Sequence, residues 1–406
     1  MSDSSHILHS AMAKRAESAG IKHVHLVTWR DLDDPEAGGS EEHAAQISAH
    51  LVAAGLKVVH HTGAVPGAPH ESERNGVRVV RRGGRFGVFF ATAIDSLRGK
   101  MGKRDGLIEV FHGLPLFAPL WSRGPRVAVI HHVHLGTWHH LITPPLDRLG
   151  DLIERYLVPL LYRRAQVATL APSTQEEITR SYKIPASQIT VARPGIEGHF
   201  VPGATKSETP LVVGVARLMP QKGVADLLKI LASVKKLVPT LTAVVVGDGP
   251  QRGELEALRS RLGADDWLHF AGRVSAAELV RYYQQAWVVA SASHREGFGL
   301  TLTEAAACGT PVVATRISGH TDAVSEGQSG LLAEDDQEFT DHLVALLSDD
   351  ELRQEMGEGA LAWASEFSWA SCAASILDAL CVDALAKKNT PMARIRANLV
   401  SRLKRS

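Results

Sequence analysis

The chain has little cysteine: Cys308, Cys372 and Cys381 are its only three, odd in number, far apart and in no Cys-x-x-Cys pair. That excludes a disulfide framework and a cysteine zinc site, and it suits a reducing cytosol. Net charge is also missing, with 44 basic against 44 acidic side chains. A broadly cationic nucleic-acid binder is thereby excluded, though a local patch is not. No run of about 18 consecutive apolar residues occurs, the length a membrane span requires. The opening stretch MSDSSHILHSAMAKRAESAG has no apolar core of signal-peptide length. The expectation is a cytoplasmic protein that meets a membrane, if at all, peripherally at its inner face.

What is present is apolar substance, 45% of 406 residues. Disorder is excluded, because such a chain can bury enough surface to offset its ordering entropy. At ~100–200 residues per domain the length implies two domains. Short Val- and Ile-rich runs alternate with segments of helical period, the pattern of parallel sheets covered by helices. The strands expected are 23–28, 56–60, 77–80, 107–112, 127–130 and 167–171, then 211–216, 241–246, 267–270, 287–291 and 311–314. Between the two arrays runs ARPGIEGHFVPGATKSETP, residues 192–210, with three prolines, three glycines and no periodicity. The reading is an α/β protein of two Rossmann-like domains, 1–195 and 205–370, enclosing a cleft. Open α/β sheets bind ligands at the carboxyl ends of their strands, so the site belongs in loops that follow strands.

Charge is unevenly shared. Residues 1–200 hold 23 basic and 19 acidic side chains, and the remainder 21 and 25. Residues 74–104 contain nine Arg or Lys against one acid, Asp95, and the last sixteen residues add five basic charges beside Met392, Ile395, Leu399 and Leu403. Two readings stand: a solvated basic face with a loose tail, or docking on an anionic membrane surface.

The strongest chemical signal is SHREGFGLTLTEAAACGTPVVAT, residues 293–315. Glu296 follows a strand, and a helix opens near Leu300, so the amides of Gly297, Phe298, Gly299 and Leu300 face an incoming anion. Glu304 lies more than a turn further on. Carboxylates do not bind phosphate, but they accept hydrogen bonds from sugar hydroxyls. Amides for phosphate, flanked by one carboxylate per sugar, describe a nucleotide-sugar site. The bland alternative, two acids favouring a helix's positive end, does not account for the intervening GFG.

GVARLMPQKG places Arg217 and Lys222 after another strand, two cations able to neutralise a diphosphate; an ordinary charged surface loop is the alternative. PEAGGSEEH sets Gly38 and Gly39 before a helix, as a tight turn or as backbone for a phosphate. HHVHLGTWHH, residues 131–140, holds five of the 20 histidines. It is read as a hydrogen-bonding role for His131, with a metal site or a plain loop as alternatives. VVVGDGPQRG misplaces the third glycine of a dinucleotide fingerprint. Asp31-Leu-Asp33 is either an acidic metal pair or, as favoured, a solvated loop.

Together these motifs, with RPGIEGHF at the linker and HFAGRVSAAEL, resemble the retaining glycosyltransferases of family 4, GT-B fold, over nearly the whole chain. The resemblance implies two Rossmann-like domains facing a central cleft, with the helix after about residue 370 packing back on an N-terminal acceptor-binding domain. It implies Arg217 and Lys222 on the donor diphosphate, Glu296 on the transferred sugar and Glu304 on the ribose. Gly39 would approach phosphate, His131 a sugar hydroxyl, and the backbone of Arg273 and Val274 would border the base. No metal and no cofactor is implied. The partners would be a nucleoside-diphosphate sugar, with UDP and GDP the carriers to test, and a glycan, lipid-linked or small-molecule acceptor. An epimerase or phosphorylase on the same scaffold, or a silent nucleotide-sugar binder, are the alternatives. Two positions depart from the family pattern: RISGHTDAV replaces paired glycines followed by Pro-Glu, and Pro194 stands where asparagine is usual.

Overall fold

The computed structural model describes residues 3–111, 113–136, 138, 144–203 and 205–388; the basic tail, His139 and His140 lie outside them. The chain divides into two units, one of residues up to Gly195 with the helix Trp369–Lys388, the other Ile196–Ser368.

The first unit is an eight-stranded sheet of β1 (His23–Val27), β2 (Lys57–Thr62), β3 (Glu71–Arg74), β4 (Val77–Arg81), β5 (Gly106–Phe111), β6 (Arg126–Ile130), β7 (Gln166–Thr169) and β8 (Ile189–Val191). Their order is β3-β4-β2-β1-β5-β6-β7-β8, parallel except for the β3/β4 pair. Central strands buried on both faces read as unbroken apolar runs, as in Val127–Ile130, all at most 2% exposed. The edge strand β3 is polar, ESER, and turns into β4 through Asn75 and Gly76 at φ 51° and 76°, the left-handed pair that a two-residue hairpin turn demands.

The helices Asp3–Ala19, Gly39–Ala53 and Trp369–Lys388 share the first unit's core, joined by Met12, Ile47, Leu51, Ile376 and Leu380. The chain leaves and re-enters this unit at one place: a Cβ on Gly195 would fall 2.0 Å from the Trp369 amide nitrogen. Asp383 ties the returning helix to the sheet by accepting the Arg126 amide at 2.8 Å. The stretch Asp350–Lys388 is long and apolar enough to cross a membrane, yet Ile376, Leu377, Leu380 and Cys381 are buried in this core. All three cysteines are free and buried, and burial pushes the Cys308 thiol up to about 12 and that of Cys381 to about 11.

The second unit is a six-stranded, wholly parallel sheet of β9 (Leu211–Val215), β10 (Thr242–Val246), β11 (Leu268–Gly272), β12 (Val288–Ser291), β13 (Val312–Thr315) and β14 (Gly330–Ala333). Its order β11-β10-β9-β12-β13-β14 reverses direction between β9 and β12. A crevice opens outside the carboxyl ends of two strands at such a reversal, because their helices leave on opposite faces.

Two sequence expectations need correction. Strands β3, β8 and β14 were not expected; β8 and β14 have only three and four residues, and β3 lacks an apolar pattern. The Asp31 loop is not solvated: Asp31 is fully buried and accepts from Arg74 at 2.9 Å, while Arg81, only 1% exposed, reaches Asp33 at 2.7 Å. Arginine charge and hydrogen bonds hold the Asp31 carboxyl below its ordinary range, against the upward push of burial. Part of the 74–104 cluster is paired. Arg74, Arg78, Arg81 and Arg82 all face acids, Glu71 and Asp95 taking the second and fourth.

Candidate active site

The loop after β9 carries Arg217, exposed, then a short turn Pro220–Lys222 and Gly223 ahead of the helix Val224–Leu237. Gly223 has φ 57°, and a Cβ there would lie 1.9 Å from the Ala292 carbonyl oxygen. Only glycine allows that approach. It lays the β9 loop directly on the loop after β12 and brings Lys222 to Glu296, Nζ to Oε1 at 2.5 Å. Ser293 Oγ donates to the same oxygen at 3.0 Å. Burial pushes the Glu296 carboxyl up, but the Lys222 charge, with help from its hydrogen bond and from Ser293, outweighs this and leaves the group below its ordinary value. At neutral pH the pair is ionic, and it sits at the sheet's reversal point.

Gly297 and Phe298 follow, and Gly299, at φ 84°, opens the helix Leu300–Ala307. The free amides of that first turn and their positive end stand next to Glu296 in sequence. Phe298 anchors the loop by packing edge-on against Phe367, centroids 5.6 Å apart. Beneath it runs the divergent RISGHTDAV segment: a Cβ on Gly319 would meet the Glu296 carbonyl at 2.7 Å. His320 is fully buried, with Nδ1 donating to the Thr315 carbonyl at 2.8 Å and Nε2 facing Ser291 Oγ at 3.4 Å. Burial lowers its pKa, so it stays neutral. Glu304 accepts from the buried Tyr283 hydroxyl at 2.9 Å, and burial with that carboxylate pushes the phenol pKa up.

The neighbouring loops are stitched to the same edge. Glycines of VVVGDGP serve close packing: Cβ atoms on Gly247 and Gly249 would meet the Ala216 and Leu218 carbonyls at 2.0 and 2.5 Å. The Gly247 amide donates to the Gly272 carbonyl at 2.8 Å. Arg273 and Val274 follow β11 immediately, exposed and half-buried, before Ser275 caps the helix Ala276–Gln285.

The first unit holds the remaining candidates. Gly38 caps the helix that begins at Gly39, and its amide donates to Glu41 Oε2 at 2.8 Å. His131 lies at the carboxyl end of β6, buried edge-on against His43 with ring nitrogens 3.2 Å apart. His43 in turn faces Cys372 Sγ at 3.5 Å. Burial pushes His131 down to about 4, so it is a neutral imidazole in the physiological range. Among the described residues no three His, Cys, Asp or Glu side chains stand close enough to hold a metal ion.

The second unit thus gathers Lys222, Glu296 and the Gly297–Leu300 turn, with Glu304 on the same helix. Sequence reasoning missed Ser293, Tyr283 and the seating of His320. Ser293 had a signal, three residues before Glu296; the other two are joined only by tertiary packing.

Residues 37–198 match the family described as Glycosyltransferase Family 4, and residues 197–363 match Glycosyl transferases group 1. The D-inositol 3-phosphate glycosyltransferase of Corynebacterium glutamicum (strain R) is 35% identical over 299 residues, 68% of this chain and 70% of that one. Of further relatives so described the chain spans about half to two thirds of the length. Among solved structures, sucrose-phosphate synthase from Thermosynechococcus elongatus has TM-score 0.73 at 21% identity, covering 94% of this chain and 99% of that one. Anabaena HepE in complex with UDP-glucose has TM-score 0.67 at 18% identity, covering 90% and 99%. The chain belongs to glycosyltransferase family 4 and is a glycosyltransferase of the GT-B fold.

Proposed function

We propose that this glycosyltransferase takes its sugar from a nucleoside-diphosphate sugar and passes it, with retention and without a metal ion, to a hydroxyl of a lipid-linked or cell-envelope acceptor. The observation that carries the donor half is the Lys222–Glu296 ion pair beside the helix opened by Gly299. An arriving diphosphate competes for Lys222, and the freed Glu296 carboxylate then accepts from sugar hydroxyls. Cations and amides preorganised around the leaving group stabilise the charge that grows on it, an effect worth ~10²–10³ in rate for a single donor.

In the step itself the bond from the anomeric carbon to the diphosphate oxygen breaks. The acceptor oxygen bonds to that carbon on the same face, and the acceptor proton passes to a phosphate oxygen of the leaving diphosphate. Arg217 and Lys222 supply the compensating charge, and no strong side-chain base is required. Glu304 takes the ribose hydroxyls, and the backbone at Arg273 and Val274 borders the base. The roles of His131, Gly38 and Gly39 rest on the family resemblance.

A second reading of the acceptor is an inositol phosphate, favoured by the 35% identity to a protein described as a D-inositol 3-phosphate glycosyltransferase. Purified protein incubated with UDP- and GDP-sugars, alone and with each acceptor class, tests both. A product with the donor's anomeric configuration, formed equally in excess chelator, is expected. Isomerised sugar from donor alone would identify an epimerase, inverted product would overturn retention, and loss of activity in chelator would overturn metal independence.

A further inference from the structure

The helical run from Leu146 to Tyr162 turns Asp147 and Glu154 inward, leaves Asp151 half-buried and turns its leucines outward. Its inner face carries Asp147, Gly150, Glu154 and Val158, all buried. Glu154 is committed there, accepting the His134 amide and the Trp138 indole N–H at 2.7 Å each. The outer face carries Leu146, Leu149, Leu152, Tyr156 and Leu160, each more than half exposed. Spacings of three and four residues place them on one stripe.

A second stripe lies on the helix Gly84–Leu97. Its inner side packs through Phe89 and Ala93 toward Leu116 and Trp121, and it turns out Phe90, Ile94 and Leu97, the first and last of which are 74% and 72% exposed. The short helix Ala118–Trp121 packs against both helical segments and adds exposed Leu120. Nine of the thirteen exposed large apolar side chains among the described residues belong to these three elements. Apolar exposure concentrated in this way marks a contact surface.

The exposed charge among the described residues of the same segment has one sign. From residue 84 to 164 every described acidic side chain is buried or half-buried. Arg98, Lys100, Lys103 and Arg123 are exposed, as are Arg148, Arg155, Arg163 and Arg164. A second copy of the chain would set this cationic face against its own like. An apolar stripe whose exposed charged neighbours among the described residues are cations fits a partner that is apolar beneath an anionic surface.

We infer that this face docks the protein on an anionic phospholipid bilayer, with the leucines and Phe90 at the acyl boundary and the arginines among the headgroups. The cations that serve it are Arg98 to Arg164, not the acid-paired arginines between 74 and 82. The inference is independent of which sugar is moved and of the acceptor.

The test is sedimentation of the full chain with vesicles of phosphatidylcholine alone and of phosphatidylcholine mixed equally with phosphatidylglycerol. Binding to the mixed vesicles, weakened by salt, and little to the neutral ones is expected. Each basic side chain near an anionic surface raises partitioning about fivefold. Arg155→Glu with Arg163→Glu should therefore lower it at least ~30-fold, and Leu149→Ser, Tyr156→Ser and Leu160→Ser together should abolish it. Both variants alter exposed positions and should keep the wild-type thermal transition. A third, with Arg402→Ala, Lys404→Ala and Arg405→Ala in the tail, should keep most of the binding. The inference is overturned if wild type ignores both vesicles, if the two helix variants sediment like wild type, or if the tail variant alone abolishes binding. It is equally overturned if the face instead holds a solution dimer that the serine variant dissociates.

Discussion

Gly223 shows how one residue can set the candidate donor site. Its left-handed backbone and the Ala292 carbonyl at 1.9 Å from any Cβ leave no room for a side chain. Gly223→Ala should destabilise the second unit by at least ~2 kcal/mol, read as a shift in the urea midpoint, and should displace Lys222 and so reduce transfer. Glu296→Gln separates chemistry from folding. The substitution keeps shape and removes charge, and Lys222 is 26% exposed in its side chain, so water can solvate it when unpaired. Transfer should fall at least ~100-fold while the midpoint moves by no more than ~1–2 kcal/mol. Initial rates and denaturation curves on the same preparation check both figures.

At the scale of elements, the returning helix Trp369–Lys388 closes the first unit. Leu380 is fully buried against the helix and sheet core, with Gly106 of β5 in contact. Leu380→Ala should cost ~2–5 kcal/mol, lost from the first unit's unfolding transition. The eleven strands readable from apolar runs all formed within two residues of their expected ends, because burial on both faces writes itself into composition. β3 escaped for the opposite reason: as an edge strand its ESER sequence owes its conformation to pairing with β4. Its real signal was Asn75-Gly76, a hairpin dipeptide rather than a periodicity. The candidate site was legible where charged residues sit next to a strand end, as at Lys222 and Glu296, which the fold brings together. It was not legible where the partner comes from elsewhere in the fold, as Tyr283 does for Glu304 and Arg81 for Asp33.

The whole molecule carries an uneven acid sensitivity. Burial pushes His25, His60 and His131 down to about 4 and His61 to about 3, all in the first unit. Their folded pKa values lie below the unfolded 6.5, so the stability they contribute is complete above pH 6.5. It is lost as pH falls from there toward 4, by about 1.4 kcal/mol per pH unit per group. Glu109, pushed up to about 7 by burial, has the opposite sign, since its stabilising neutral form is lost as pH rises through 7. Thermal scans between pH 7.5 and 4.5 should show the first unit's transition falling steeply and the second unit's, with His320 as its buried histidine of lowered pKa, falling less. The proposed transfer depends above all on a diphosphate being held by the loop after β9 beside Glu296. Calorimetric titration of UDP and GDP into wild type and Lys222→Ala tests it most directly. One of the two should bind wild type, and its affinity should fall at least ~30-fold in the variant at an unchanged unfolding temperature; equal affinity in both proteins would contradict a diphosphate held by Lys222.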